Sequence, residues 1–352
     1  MSTTSDPVDV GIVGLGGIGH SHADCLVDGP ARLAGGMDVD ADARAAFADE
    51  YGVETYADHE ALFEVVDAVF VTTPNAFHEE YAVPALEAGL SVLVEKPLGH
   101  TLESAERIAA AAESAPGVCM VGFHNRFKGP VEVLNSYRED GLFGDIQHVD
   151  TTYVRRRGVP GRGTWFTDAK LAGGGALIDL GVHAIDLALY LLEFPDVVEV
   201  SGVTRQTFGD REDYADVAGW GIGEGPFSVE DSVIAQLRTA EGATVSVDVA
   251  WASNRESEKG IRLRGSDAGA LLDLGGDLTL YETETGGEPH HRTTEVEVTD
   301  GGGYAAEQAA FIEAIETGEA PTRNTVEQAL TVQRLMDAIY RSSESGEAVR
   351  LD

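Results

Sequence analysis

Short apolar runs alternate with amphipathic segments along the first third of the chain. "VDVGIV" (8–13), "RLAGGMDV" (32–39), "VDAVFVTT" (66–73), "LSVLVEK" (90–96) and "GVCMVGF" (117–123) have the length of strands, and several are bounded by Gly or Pro. Between them lie helical patterns, "ADARAAFADEYG", "HEEYAVPALEAG" and "TLESAERIAAAAES". Glycine closes the first two, and Thr101 is placed to cap the third. Strand and helix in strict alternation imply right-handed crossovers, so a doubly wound α/β Rossmann domain with a parallel sheet is expected over residues 1–124.

After residue 124 the pattern changes. A helix at 129–140 and a strand at 146–156 precede "GGGALIDLGVHAIDLALYLL" (173–192), which is apolar enough to be a buried helix. Six alternating runs follow, at 197–205, 231–239, 243–253, 260–266, 269–275 and 277–285, with turn signals and no helices between them. Val245, Val247 and Val249 share one side of the third run, opposite Ser246, Asp248 and Ala250. This predicts an α+β domain over 125–352 with a mostly antiparallel open sheet, closed by helices at 304–317 and 324–342. Residues 207–228, rich in Gly and Asp, are expected to form a long surface loop.

The first turn of the α/β domain carries candidate chemistry. Gly14, Gly16 and Gly19 form G-x-G-x-x-G after an apolar strand and before a helix, and a second strand ends in Asp38 at the expected offset. Gly14 allows the tight turn, Gly16 the approach of a pyrophosphate and Gly19 close helix packing, with Gly17 and Ile18 completing the loop at a helix N-terminus that favours an anion. Asp38 is placed to accept ribose hydroxyls and repel a 2′-phosphate, and no arginine immediately follows it, so NAD is expected over NADP. The alternative is that Asp40, rather than Asp38, is the residue that matters, with Asp38 only finishing the strand; Asp40 could equally cap the helix that starts near Ala41. Thr73, Pro74, Asn75 and His78 end one strand and Glu95 and Lys96 another, all where parallel strands border a ligand crevice.

Polar residues inside the apolar helix raise a second candidate site. Asp179, His183 and Asp186 fall at about 0°, 40° and −20° around a regular helix, one narrow stripe. Two carboxylates on a buried helix are costly unless they face a polar cavity, and the three preceding glycines would let the backbone approach a ligand. The remaining histidines, His20 and His22 among them, are expected on the surface or in loops, and no cluster has metal-ligand spacing.

Composition narrows the field. There are 24 basic and 61 acidic residues, a net charge of −37, which disfavours nucleic acid and anionic membranes as partners. Self-repulsion of that size is screened in molar salt, pointing to a halophilic cytoplasm. No apolar run is expected to reach the length of a membrane span, and "MSTTSDPVDV" lacks the features of a secretory signal, so a cytoplasmic location is expected. Two cysteines, Cys25 and Cys119, exclude a disulfide framework.

With the glycine loop, "TTPNAFH", "EKP", "GFHNRF" and the apolar helix in this order, the chain resembles the glucose-fructose oxidoreductase / inositol dehydrogenase / rhizopine-catabolism (Gfo/Idh/MocA) family over nearly its whole length. The resemblance implies an NAD(P)-dependent enzyme acting on sugars or polyols, with a C-terminal sheet used in homodimers or homotetramers. It places the catalytic lysine on Lys96, followed by a cis peptide to Pro97, and the family's Asp and His on Asp179 and His183. "RRRGVPGRGTWFT" matches only as a loop reaching the cleft, where Arg157, Arg162 and Trp165 are candidate substrate contacts. In the expected reaction His183 takes the hydroxyl proton, Lys96 stabilises the same oxygen from across the nicotinamide, and Asp179 binds substrate or orients the imidazole. Asp186 belongs to the site or only steadies His183. An NAD-using redox-neutral glycosidase or epimerase and a non-catalytic NAD sensor are the alternatives.

Overall fold

The computed structural model describes residues 7–209, 211–221, 223–298 and 301–351. They form two compact units, Met1–His124 with Gly302–Gln333, and Asn125–Gly301 with Arg334–Asp352. The chain therefore does not divide at residue 124 alone. Residues 302–333 pack with the first unit because their helix Tyr304–Thr317 carries a fully buried Phe311, set 5.7 Å from the ring of Phe70.

In the first unit, β1 (Asp9–Val13), β2 (Arg32–Met37), β3 (Glu54–Tyr56), β4 (Ala68–Val71), β5 (Ser91–Glu95) and β6 (Cys119–Gly122) form a parallel sheet in the order β3-β2-β1-β4-β5-β6. Every residue of β4 and β5 is buried, which explains their unbroken apolar runs. The order reverses between β1 and β4, the switch point where such sheets bind ligands. Strand β3 is too short and too exposed to show a pattern in the sequence. Thr101 and Asp40 cap their helices, accepting the N–H groups of Ser104 and Asp42.

The second unit holds β7 (Ile146–Val154), β8 (Val197–Arg205), β9 (Ser232–Thr239), β10 (Thr244–Ala250), β11 (Glu258–Gly265), β12 (Ala268–Asp273), β13 (Leu278–Glu284), β14 (His290–Val296) and β15 (Val349–Arg350). They form one sheet in the order β14-β13-β12-β11-β7-β10-β9-β8-β15, antiparallel except for β7 beside β10. Val245, Val247 and Val249 are buried on the face covered by the apolar helix, as their alternation predicts. Polar β14 and two-residue β15 carry too little apolar pattern to be anticipated. The stretch Ala169–Leu191 does reach the length and apolarity of a membrane span, contrary to expectation, and 89% of its apolar 18-residue window is buried inside the fold.

Candidate active site

The glycine loop separates into two kinds of glycine. A Cβ on Gly14, whose φ is 97°, would stand 2.7 Å from the Thr73 nitrogen, and one on Gly19 would stand 2.3 Å from the Gly14 carbonyl oxygen. These two serve the turn and its packing. Gly16 and Gly17 face open space, with nothing within 4 Å of where a Cβ would stand, and Ile18 beside them is 42% exposed. Helix Gly17–Val27 begins there without a side-chain cap and without an acidic residue in its first turn. Its N–H groups and positive dipole end fit the diphosphate of a dinucleotide.

Asp38 continues from β2 and braces the same loop. Its Oδ2 accepts the Leu15 N–H at 2.8 Å and its Oδ1 the Asp40 N–H at 2.9 Å. Asp40 itself caps helix Ala41–Tyr51. Arg44 donates to the Asp38 carbonyl oxygen at 2.7 Å, so a guanidinium does reach this strand end from six residues away.

Thr73 and Pro74 are half-exposed after β4, whereas Asn75 is buried. His78, expected at the cofactor rim, is fully buried, its ring nitrogens 2.8 Å from the Pro97 carbonyl oxygen and 3.1 Å from that of Thr73. Burial lowers its pKa, and the ring ties two strand-end loops together. Lys96 is half-buried at the end of β5 and precedes a cis peptide to Pro97.

Behind Lys96 stands a residue misjudged from the sequence. His22, expected at the surface, has no exposed area, and its Nε2 lies 2.8 Å from Glu95 Oε1. Glu95 Oε2 accepts the Lys96 backbone N–H at 3.1 Å. Burial pushes the Glu95 carboxyl up, but the His22 hydrogen bond, and after it the charges of the basic side chains around the group, outweigh it and hold it below the usual range.

In the second unit the expected stripe splits. Residues Leu177–Gly181 form a π turn that leads into the α-helix Val182–Leu191, so the regular 100° spacing does not hold across it. Asp179 sits in this turn and accepts the indole N–H of Trp251 at 2.9 Å. Arg155 Nη1 lies 3.9 Å from the same carboxylate, and its guanidinium stacks 4.8 Å from the Trp220 ring. His183 follows with 7% of its surface exposed. Asp186 turns to Arg126, whose Nε lies 3.1 and 3.2 Å from the two carboxylate oxygens, and both residues are fully buried. The two form a buried ion pair.

The three glycines serve the fold, where ligand approach was expected. A Cβ on Gly174 would come 2.0 Å from the Tyr340 hydroxyl, and one on Gly175 would come 1.9 Å from the Glu230 carbonyl oxygen. Gly173 takes a positive φ to end helix Ala169–Ala172. Glu230 Oε1 accepts the N–H groups of Gly175 and Leu177 and the Tyr340 hydroxyl at 2.9–3.0 Å, capping the start of the apolar helix.

The loop candidates are engaged with their own surroundings. Arg157 donates to the Arg156 and Ser253 carbonyls and to Asn254, Arg162 lies over Tyr214, and Trp165 stacks on Phe166. Arg155 and Trp251, adjacent to Asp179, were missed. The signals for them were slight: the first arginine of a triplet at a strand end, and a tryptophan closing an alternating run. Lys96 belongs to the first unit, Asp179 and His183 to the second. Among the described residues no group of three His, Cys, Asp or Glu side chains is placed to hold a metal ion.

Comparison with known proteins bears on this arrangement. The Gfo/Idh/MocA oxidoreductase family with an NAD-binding Rossmann fold matches residues 8–123, and the Gfo/Idh/MocA C-terminal domain matches residues 132–271. The chain is 32% identical to D-glucoside 3-dehydrogenase of Escherichia coli K12 over 99% of both proteins. It is 29% identical to D-xylose 1-dehydrogenase (NADP(+)) 2 of Haloferax volcanii, covering 97% of this chain and 99% of that one. A levoglucosan dehydrogenase solved in complex with NADH shares the fold, with a TM-score of 0.85 at 23% identity over 98% of this chain and 99% of that one.

Proposed function

This chain belongs to the Gfo/Idh/MocA family of NAD-binding oxidoreductases, and on that premise we propose that it is an NAD(P)-dependent dehydrogenase that passes hydride between a sugar or related polyol and the nicotinamide. Whole-length identity to a D-glucoside 3-dehydrogenase carries the reading. The cofactor supplies the hydride acceptor, held by Gly16, Gly17 and the uncapped helix end, with Asp38 on the adenosine ribose. NAD is the preferred form in this reading, because the Asp38 carboxylate repels a 2′-phosphate.

His183 acts as the base for the hydroxyl proton, its ordinary range lying near neutral pH. Lys96 is the catalytic lysine of this reading, able to stabilise developing negative charge. Asp179, aimed by Trp251, binds a neighbouring hydroxyl. The protein works as a homo-oligomer through the open face of the second sheet, where Val203 and Ile234 are cross-strand neighbours and both exposed. The charge of −37 suits a salt-rich medium.

The test is formation of NADH and of NADPH at 340 nm across aldoses, glucosides, inositols and sugar acids in molar KCl, with the oligomer size read by light scattering. Turnover of at least one sugar with NAD as the better coenzyme is expected. Retained NAD binding without reduced coenzyme on any member of the panel would overturn the dehydrogenase reading.

A further inference from the structure

We propose that His22 and Gln308 are positioning residues for Lys96, acting through Glu95: Gln308 locks the His22 imidazole as its neutral Nε2–H tautomer, and that ring holds the carboxylate that pins the Lys96 amide. All four residues belong to the first unit, and Gln308 arrives on helix Tyr304–Thr317, 286 positions after His22. The proposal deepens the reading above, since it rests on Lys96 being catalytic.

The tautomer follows from the inventory of donors. The Gln308 side-chain nitrogen is 3.1 Å from the His22 carbonyl oxygen and 2.9 Å from His22 Nδ1. A carbonyl only accepts, so the amide presents its NH2 group there, because the flipped amide would set two oxygens against each other. The second hydrogen of that NH2 goes to Nδ1. Nδ1 is thereby an acceptor, and the single ring proton sits on Nε2, 2.8 Å from Glu95 Oε1.

Nothing nearby lets the ring turn away from this arrangement. Phe70 and Tyr304 stand edge-on to the imidazole at 5.2 and 4.8 Å, and His22, Gln308 and Glu95 are 0%, 1% and 6% exposed. A side chain at Gly122 would come within 3.1 Å of Glu95 Oε2, so β6 leaves room for the carboxylate and little more. Glu95 thus receives one neutral N–H on each oxygen, from His22 and from the Lys96 backbone. It keeps its charge and its orientation at the root of the lysine side chain.

Two measurements on the full chain saturated with NAD test the proposal. Long-range proton–nitrogen NMR of histidine-labelled protein, recorded at about pH 8 where an imidazole is ordinarily neutral, is expected to show His22 protonated on Nε2 and bare on Nδ1. Gln308→Glu exchanges the donor for an acceptor at nearly constant shape; Nδ1 should take up a proton and kcat should fall about tenfold or more, with the Kd for NAD changed less than about threefold. Gln308→Met, which has neither donor nor acceptor, should show a smaller loss of the same kind and serves if the first variant does not fold. Protonation of Nδ1 in the native protein overturns the lock. An unchanged kcat in Gln308→Glu with Nδ1 protonated overturns the positioning role. Lys96→Ala assayed in parallel separates the premise: normal turnover there removes the catalytic lysine and its positioning together, while the NMR result reports on the lock alone.

Discussion

Trp251, a residue without exposed surface, donates its indole N–H to Asp179 Oδ2 at 2.9 Å. The donor follows β10 and the acceptor lies in the π turn, so the tertiary fold aims a carboxylate that the helix alone would leave free to rotate. Trp251→Phe keeps most of the bulk and removes the donor. A hydrogen bond to a charged group contributes about 1.5–3 kcal/mol, so kcat/KM for the sugar should fall about tenfold or more while NAD affinity holds. Native kcat/KM in steady-state assays of the variant would show that Asp179 needs no such aim.

Lys96→Ala and His183→Ala should each reduce kcat by about 10²–10⁴-fold, the usual reach of a single proton-handling group. Equilibrium titration with NAD should be nearly unchanged in both, because the glycine loop and Asp38 are untouched. Near-normal turnover in either variant removes that residue from the mechanism.

The Arg126–Asp186 pair, with both side chains fully buried, predicts an asymmetry between single and double substitution. Arg126→Met leaves a buried carboxylate alone and should cost about 3–5 kcal/mol in denaturant unfolding. Arg126→Met with Asp186→Leu should recover most of it. Additive losses in the double variant would mean that the two residues do not act as a pair.

Coenzyme choice should follow Asp38. Asp38→Ser removes the charge that meets a 2′-phosphate, and Arg44 stays within reach of the strand end. The ratio of kcat/KM for NADP to that for NAD should rise about tenfold or more. A native preference for NADP would reverse the role given to this carboxylate.

Glu230 gives a pH dependence with a definite sign. Desolvation raises its pKa in the folded chain, ahead of the hydrogen bonds that oppose it. A carboxyl raised on folding contributes stability that is fully present below its unfolded pKa and lost as pH rises through the folded one. Glu230→Gln cannot titrate, so its Tm relative to the native chain should climb as pH rises above the ordinary carboxyl range of about 4. Scanning calorimetry showing a flat or falling difference would contradict the shift.

Local pattern carried a great deal of this protein. The alternation of apolar runs and amphipathic segments reflects strands buried on both faces and helices buried on one, so β1, β2, β4, β5 and β6 and the doubly wound class were legible in the residues alone. The glycine loop was legible for the same reason, because its function depends on backbone conformation, which neighbouring residues decide. Thr101 was legible as a cap, and Asp40 as one of two options that its cap contact decides, each contact made within three residues.

What adjacency could not supply was the partner of each polar side chain. Asp179, Asp186 and His183 looked equivalent on a regular helix, yet a π turn and two distant residues, Trp251 and Arg126, send the carboxylates to different tasks. Gly174 and Gly175 before them are there for Tyr340 and Glu230, and His22 is buried because Glu95 and Gln308 meet it from 73 and 286 positions away. Which segments become strand or helix, and where the backbone turns, was already decided in the order of residues, since propensity and burial act over a few positions. Which charges are met, and by whom, waited on the folded chain, because hydrogen bonds and ion pairs depend on distance in space.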